Sequence, residues 1–261
     1  MRHRLLNLLT KASSLSLAIA LSIIPQLALA RSWSEIESQG ELKIAIKDNL
    51  RPLGFTDEND NLAGLEIDIA RKLALELLGD AEAIAFSPVD NRSRLQVILA
   101  DEVDLTIARV TVTTSRSRIV DFSPYYYLDG TGIVTKDKAI ENINSLSLRR
   151  IAVLNNSATI AVIRNRLPNT ILVGVDSYKA ALELMETGGA DAFAGDRSIL
   201  TGLTQEYTEY KLLPERLSGA ALAVVMPKGL QYKELRARVN KAIADWQESG
   251  WLAERIEYWG L

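Results

Sequence analysis

The hydrophobic positions of this chain repeat with two different periods from about residue 40 onward. In residues 42–46 apolar side chains alternate as in a strand, and in residues 65–78 they recur at helical spacing until Gly79 ends the pattern. The same two patterns predict strands at residues 83–86 and 103–107 and a helix at residues 93–99. This β-α-β-α-β order is typical of a mainly parallel sheet covered by helices.

The α/β pattern starts again after a glycine-containing extended segment at residues 128–134. Strands are predicted at residues 151–154, 171–173, 190–194 and 220–226, and helices at residues 157–166, 177–187 and 230–248. Two units of similar size, with crossings near Asp129 and Gly219, predict two lobes and a cleft for a ligand between them. We expect residues 31–128 with 221–261 to form lobe 1, and residues 129–220 to form lobe 2.

Residues 1–30 carry the features of a secretory signal peptide. Arg2 and Arg4 precede an apolar run at residues 15–29, and Ala28-Leu29-Ala30 forms a cleavage pattern before Arg31. The apolar run is shorter than the roughly 20 residues that span a bilayer. The sequence therefore predicts an exported, soluble periplasmic protein that begins near Arg31.

Composition excludes most kinds of catalytic site. The chain has no cysteine, and its one histidine, His3, lies in the predicted signal peptide. Cysteine nucleophiles, Ser-His triads and Cys/His zinc sites are therefore excluded, and we expect neither a metal nor a cofactor. Loss of Arg2, Arg4 and Lys11 with the signal peptide changes the formal net charge from −3 to −6. No nucleic-acid partner is expected of such a chain.

The stretch at residues 103–127 has the chemistry of an anion site. A β-branched strand ends among hydroxyl groups at Thr111 and Thr113, and Arg116 follows with a planar fork that matches a carboxylate. Because the end of a buried strand faces a ligand crevice in open α/β sheets, these donors predict a site for an anion. The alternative interpretation is a strand followed by a solvated basic turn.

Several motifs occur in an order that resembles one known family. They are Gly40-Glu41-Leu42-Lys43-Ile44-Ala45, Pro52-Leu53-Gly54-Phe55, Gly64-Leu65-Glu66-Ile67-Asp68, Val103-Asp104-Leu105, Thr111-Val112-Thr113 with Arg116, Asp121-Phe122-Ser123-Pro124-Tyr125-Tyr126 and Gly188-Gly189-Ala190-Asp191-Ala192-Phe193-Ala194-Gly195-Asp196. The chain thus resembles the amino-acid solute-binding proteins of bacterial ABC importers. The resemblance implies an α/β fold of two lobes, each a mostly parallel sheet flanked by helices. It also implies a monomeric, non-enzymatic protein that delivers an amino acid to a membrane ABC permease.

The resemblance also implies roles for individual residues. Arg116 would hold the α-carboxylate of the ligand, with help from Thr111 and from the helix start at Ser157 and Ala158. Asp196 would hold the α-ammonium group and would also serve as the N-cap of the helix that follows it.

Two residues depart from what is usual in the family. Leu50 stands where most relatives have an aromatic wall, and Arg109 stands where a small residue is usual. Whether the Arg109 side chain contacts the ligand or leans out to solvent is left open by the sequence.

Cations around the expected cleft favour an acidic amino acid, glutamate or aspartate, as the ligand. Lys47 follows the first strand, and Arg94 precedes the strand at residues 103–107. The alternative is a solvated network in which Lys47 pairs with Asp48 or Asp90 and Arg94 pairs with Asp90, which would leave selectivity to packing against Leu50. Glutamine or a broad polar range is the next candidate for the ligand. The alternative function is an enzyme on the same fold, such as a prephenate or arogenate dehydratase.

Overall fold

The structure is a computed structural model that describes residues 31–261, so the predicted signal peptide lies outside the described residues. In chain order the elements up to the first crossing are α1 (Trp33–Gln39), β1 (Leu42–Ile46), β2 (Asn49–Leu50), β3 (Gly54–Thr56), β4 (Leu62–Ala63), α2 (Leu65–Leu78), β5 (Ile84–Pro88), α3 (Gln96–Leu99), β6 (Leu105–Ile107) and β7 (Asp121–Asp129). The next are β8 (Thr131–Thr135), β9 (Arg150–Leu154), α4 (Thr159–Arg166), β10 (Ile171–Val175), α5 (Tyr178–Glu186), β11 (Ala192–Asp196), α6 (Arg197–Glu206) and β12 (Lys211–Leu212). The chain ends with β13 (Ala220–Met226), α7 (Lys233–Ser249) and α8 (Trp251–Tyr258).

Two five-stranded sheets form the centres of two lobes. The sheet of lobe 1 has the order β5-β1-β6-β13-β7, and the sheet of lobe 2 has the order β10-β9-β11-β8-β12. In each sheet the first three strands are parallel, and an antiparallel strand follows: β13 in lobe 1 and β8 in lobe 2. The predicted α/β fold with two lobes is therefore confirmed.

The chain passes from one sheet to the other at Gly130 and returns between β12 and β13. The two connecting segments lie against each other, since a Cβ atom on Gly130 would be 1.9 Å from the carbonyl oxygen of Ser218. Leu217 N–H donates to the Thr131 carbonyl at 2.8 Å across the same pair of segments. The exact residue bounds of the lobes, 31–128 with 221–261 and 129–220, remain a prediction.

Helices cover the sheet of lobe 1 as the hydrophobic pattern predicts. The apolar positions of α2 at Leu65, Ile69 and Leu73 are fully buried. The inward positions of α7, which are Leu235, Val239, Ile243 and Trp246, join the same core. Two further apolar clusters pack around the sheet of lobe 2, so each lobe has a core of its own.

Three expected elements differ from the sequence prediction. The helix expected at residues 93–99 is only Gln96–Leu99, because Asp90 accepts hydrogen bonds from the N–H groups of Arg92 and Ser93 and holds a turn there. The helix expected from residue 157 begins at Thr159. The last helix does not finish the chain: Gly250, at φ +81°, ends α7, and a separate helix α8 follows.

Candidate functional site

A cavity of about 610 Å³ lies between the lobes. Its lining from lobe 1 is Lys47, Asn49, Leu50, Asp90, Asn91, Arg92 and Arg109, and its lining from lobe 2 is Leu154, Tyr178, Asp196 and Ile199. Lys47, Leu154 and Asp196 each stand at the carboxyl end of a strand, in β1, β9 and β11. The cavity therefore has the position in which open α/β sheets bind ligands.

Lys47 is a buried cation on the lobe 1 wall of this cavity. Its side chain is only 5% exposed, and its ammonium group donates to the Val89 carbonyl oxygen at 2.9 Å. Burial lowers the pKa of Lys47, and the neighbouring charge of Arg94 lowers it further. Asp48 and Asp90 are near enough to oppose that shift, but neither forms an ion pair with Lys47 among residues 31–261.

Arg94 and Arg116 form a cationic group behind Arg109. Arg94 donates to the carbonyl oxygens of Ala108, at 3.0 Å, and Arg109. Arg116 donates to the carbonyl oxygen of Thr111 at 2.8 Å. Burial lowers the pKa of Arg94, and the charges of Arg116 and Arg109 add to the effect, so these guanidinium groups repel one another. In the part of the chain that the structure describes, neither Arg94 nor Arg116 forms an ion pair with a carboxylate, and the alternative network of Lys47 and Arg94 with Asp90 is not formed.

Arg109 points into the cleft and joins the two lobes. Its guanidinium group forms an ion pair with the Asp196 carboxylate of lobe 2, and its Nε lies 3.7 Å from Asp129 Oδ2. The Arg109 side chain is 14% exposed, so this contact is largely shielded from water. The sequence left open whether the Arg109 side chain enters the cleft or leans out to solvent, and in this structure it lies inside the cleft.

The N-terminus of α6 is capped by Asp129 rather than by Asp196. Asp129 is 1% exposed and accepts hydrogen bonds from Ser198 N–H at 3.0 Å and from Ser198 Oγ at 2.6 Å. Asp196 occupies the N-cap position, but its side chain makes no capping hydrogen bond. The expectation that the Asp196 side chain also caps the helix is wrong, because its carboxylate is turned toward Arg109 while Asp129 satisfies the helix end.

The segment before α4 lies outside the cavity lining. Ala158 is exposed, and Ser157 Oγ is buried without a hydrogen-bond partner in the described residues. Asn156 has φ +59° and directs the chain from β9 into this helix. The main-chain N–H groups at this helix end are therefore close to the end of β9 but do not line the described cavity.

Of the residues predicted for the site, four line the cavity: Lys47, Leu50, Arg109 and Asp196. Five others do not line it: Arg94, Thr111, Arg116, Ser157 and Ala158. Arg94 and Arg116 lie close enough to the cavity residue Arg109 that its charge contributes to the lowered pKa of each, and Thr111 forms an isolated bridge with Leu222 in β13.

Tyr178 is a cavity residue that the sequence prediction missed. It is the first residue of α5, and its ring packs against Phe193 with centroids 5.6 Å apart. Burial raises the pKa of Tyr178 to about 12, and the Asp196 carboxylate contributes to that shift. Tyr178 thus gives the cavity an aromatic wall. This wall comes from lobe 2, whereas the family usually has its aromatic residue at the position of Leu50 in lobe 1. The Ser177 cap was visible in the sequence, and it marked where Tyr178 begins the helix.

Between residues 31 and 261 no group of three or more His, Cys, Asp or Glu side chains is placed to hold a metal ion. None of the helices described there combines the length and the apolar composition needed to cross a membrane.

Comparisons with known proteins agree with this fold. Residues 42–261 match the family of bacterial extracellular solute-binding proteins, family 3. The ABC transporter glutamine-binding protein GlnH of Bacillus subtilis (strain 168) is 26% identical over 217 residues, which span 80% of this chain and 79% of that protein. A glutamine-binding protein of Geobacillus stearothermophilus is 29% identical over 187 residues, which span 70% of this chain and 71% of that protein.

Solved structures share the two-lobe fold as well. The structure of an ancestral cationic amino acid solute-binding protein aligns with a TM-score of 0.72 at 24% identity and covers 87% of this chain and 98% of its own. Because the family match extends over most of the chain and the fold agrees with it, the chain belongs to the bacterial extracellular solute-binding proteins, family 3.

Proposed function

We propose that this protein works in the periplasm as a monomer, binds an acidic amino acid, glutamate or aspartate, between its lobes and delivers it to a membrane ABC permease. The observation that carries the proposal is positive charge beside the cavity that is not held in ion pairs. Lys47, Arg94 and Arg116 donate to main-chain carbonyls and, within residues 31–261, make no ion pair with a carboxylate. A solute with two carboxylates would supply the missing negative charge.

In this proposal the α-carboxylate of the solute is held at Arg116. The carbonyl oxygen of Thr111 accepts one hydrogen bond from the Arg116 guanidinium group. The other N–H groups of this planar fork remain for a ligand. The start of α4 at Ser157 and Ala158 would approach the same carboxylate from lobe 2, where main-chain N–H groups favour an anion.

The second carboxylate of the solute would face Lys47, with Arg94 behind it. Lys47 lines the cavity and keeps two of its three donors for a ligand, since one is used at the Val89 carbonyl. Leu50 and Tyr178 would pack against the aliphatic part of the solute from opposite lobes.

Glutamine is the second candidate solute, because both relatives described above are named for glutamine. The charges of the cavity favour the acid over the amide. A neutral amide would leave the repulsion among the cations in place, whereas a carboxylate would relieve it.

A dehydratase on this fold is disfavoured by the carboxylates of the cleft. Such an enzyme needs a protonated carboxyl group that reaches the substrate. Asp196 is engaged as an acceptor by Arg109. Glu66 is fully buried, and burial raises its pKa, but it accepts hydrogen bonds from Arg109 N–H and from Tyr126 OH and is not exposed to the cavity. Incubation with prephenate should therefore produce no phenylpyruvate absorbance.

The proposed function is tested by a thermal-shift panel over the common amino acids with ligand-stripped protein. At about 100 times its dissociation constant a solute stabilises the folded state by about 2.7 kcal/mol, which corresponds to an increase of about 5–10 °C in melting temperature. We expect glutamate or aspartate to give the largest increase. A largest increase with arginine, lysine or an apolar amino acid would contradict the proposal.

A further inference from the structure

The main chain of Arg109 is held in place on both sides. Its N–H donates to Glu66 Oε1 at 2.6 Å, and its carbonyl oxygen accepts a hydrogen bond from Arg94. The residue has φ +51°, a conformation that residues other than glycine rarely adopt. These contacts fix the direction in which the side chain leaves the chain, and that direction is across the cleft toward Asp196.

The carboxylates that line the cavity already have donors. Asp196 is paired with Arg109. Asp90 accepts from the N–H groups of Arg92 and Ser93 and from Ser93 Oγ within its own turn. Among the described residues that line the cavity, no other carboxylate is present. An ammonium group entering the cavity would therefore meet carboxylates that are engaged, whereas a carboxylate group would meet Lys47 and Arg92.

We propose that Arg109 is a specificity-determining residue that takes the place of a solute ammonium group at Asp196. This inference rests on the proposed binding of acidic amino acids and extends the solutes from these to dicarboxylates in general. The site recognises the carboxylates of the solute, so dicarboxylates without an ammonium group, such as glutarate and succinate, bind about as well as glutamate and aspartate.

The physical reason is competition between two cations for one carboxylate. The Asp196 side chain is 40% exposed, so a solute ammonium group can reach it, but because Asp196 is paired with Arg109 the ammonium group would lie beside the guanidinium. Two like charges on one carboxylate repel each other, and this repulsion offsets the attraction that the ammonium group would gain. A solute without the ammonium group avoids the repulsion and still pairs with the cations of lobe 1.

The test uses two matched pairs of solutes, glutamate with glutarate and aspartate with succinate, titrated calorimetrically into ligand-stripped protein. For the wild-type chain we expect the members of each pair to differ by less than about tenfold in dissociation constant. Arg109→Gly frees the Asp196 carboxylate and removes the strain of a positive φ. In this variant the preference should move toward the amino acid by at least about tenfold.

Arg92→Gln is the matched control, because Arg92 is a second cation on the cavity wall that contacts neither Asp129 nor Asp196 in the described structure. This variant should weaken the binding of both solutes of a pair to a similar extent and leave the ratio of their dissociation constants unchanged. If Arg109→Gly does not fold, as judged by circular dichroism, the wild-type ratio alone decides the question.

Two results would overturn the inference while leaving the proposed function intact. One is a wild-type preference for glutamate over glutarate of about tenfold or more. The other is an unchanged ratio in folded Arg109→Gly. Tighter binding of arginine or glutamine than of all four acids would contradict the proposed function and this inference together.

Discussion

The two walls of the cavity differ in charge and in the way their side chains are held. Lobe 1 brings the cations Lys47 and Arg92 to the cavity, with Arg94 and Arg116 behind them. Lobe 2 brings apolar and aromatic surface from Leu154, Tyr178 and Ile199 and one carboxylate, Asp196, which Arg109 of lobe 1 has already engaged. The difference indicates that lobe 1 selects the charge of the solute and lobe 2 covers it.

Different local structures produce this difference. In lobe 1 Lys47 and Arg94 follow the carboxyl ends of strands, and main-chain carbonyls of neighbouring loops accept hydrogen bonds from their side chains. In lobe 2 the wall is formed by the strand ends at Leu154 and Asp196 and by the first turns of α5 and α6, which carry Tyr178 and Ile199. Ser177 and Asp129 satisfy these two helix ends. Lys47 and Arg94 of lobe 1 therefore keep donors for a ligand, whereas the N-termini of α5 and α6 are already satisfied.

The largest effect is expected from Arg116→Ala on the charged side of the comparison. Removing one partner of a desolvated ion pair costs about 3–5 kcal/mol, so the affinity for the acidic solute should fall at least about a hundredfold. Calorimetric titration measures the loss. Arg118→Ala is the control, because Arg118 is exposed two residues farther along the same turn. A loss of less than tenfold in a folded Arg116→Ala protein would rule out the carboxylate role.

Gly202→Ala tests the covering side. A Cβ atom at Gly202 in α6 would be 2.2 Å from the carbonyl oxygen of Arg51 in lobe 1, so the lobes can approach this closely only with glycine there. Overpacking costs about 1–3 kcal/mol, and affinity should fall about fivefold to a hundredfold.

The control for Gly202→Ala is Gly219→Ala, where the added Cβ would meet only Leu128 Cδ1 at 3.6 Å. Affinity should change little in this variant. Equal losses in the two variants would show that the close contact between Arg51 and Gly202 does not matter for binding.

Lys47→Gln should reduce the selectivity for the acid over the amide. A hydrogen bond to a charged group contributes about 1.5–3 kcal/mol, so the preference for glutamate over glutamine should fall about tenfold or more. The variant keeps a donor for the Val89 carbonyl. The comparison of glutamate and glutamine titrations in wild-type and variant protein checks this, and an unchanged preference would exclude Lys47 as the group that faces the second carboxylate.

Asp129→Ala should have the smallest effect on binding and a clear effect on stability, because alanine cannot accept the hydrogen bonds of Ser198. The carboxylate caps α6 and lies beside Arg109, and loss of a cap of this kind costs about 1–2 kcal/mol. Urea unfolding measures the change, with Asp245→Ala on the exposed face of α7 as the control. Equal free energies of unfolding for both variants would contradict the capping role.

The repeating patterns of the sequence were enough to predict the two sheets and most helices, because side chains such as Leu235 and Trp246 recur at helical spacing. The helix α8 was missed because Gly250 ends the hydrophobic pattern of α7 and α8 has only eight residues in which to show a pattern of its own. The pairing of Asp129 with Ser198 joins residues 69 positions apart, and the pairing of Arg109 with Asp196 joins the two lobes. Such contacts depend on how the lobes meet, and the local pattern carries no information about that.

The proposed function depends on selection of an acidic solute by Lys47, Arg94 and Arg116 of lobe 1, which form no ion pairs with carboxylates among residues 31–261. It is tested most directly by calorimetric titration of glutamate, aspartate, glutamine and arginine into ligand-stripped wild-type protein. We expect at least one of the two acids to bind more tightly than both glutamine and arginine, since only a carboxylate relieves the repulsion among Lys47, Arg94 and Arg116. Tighter binding of glutamine or arginine than of both acids would contradict it.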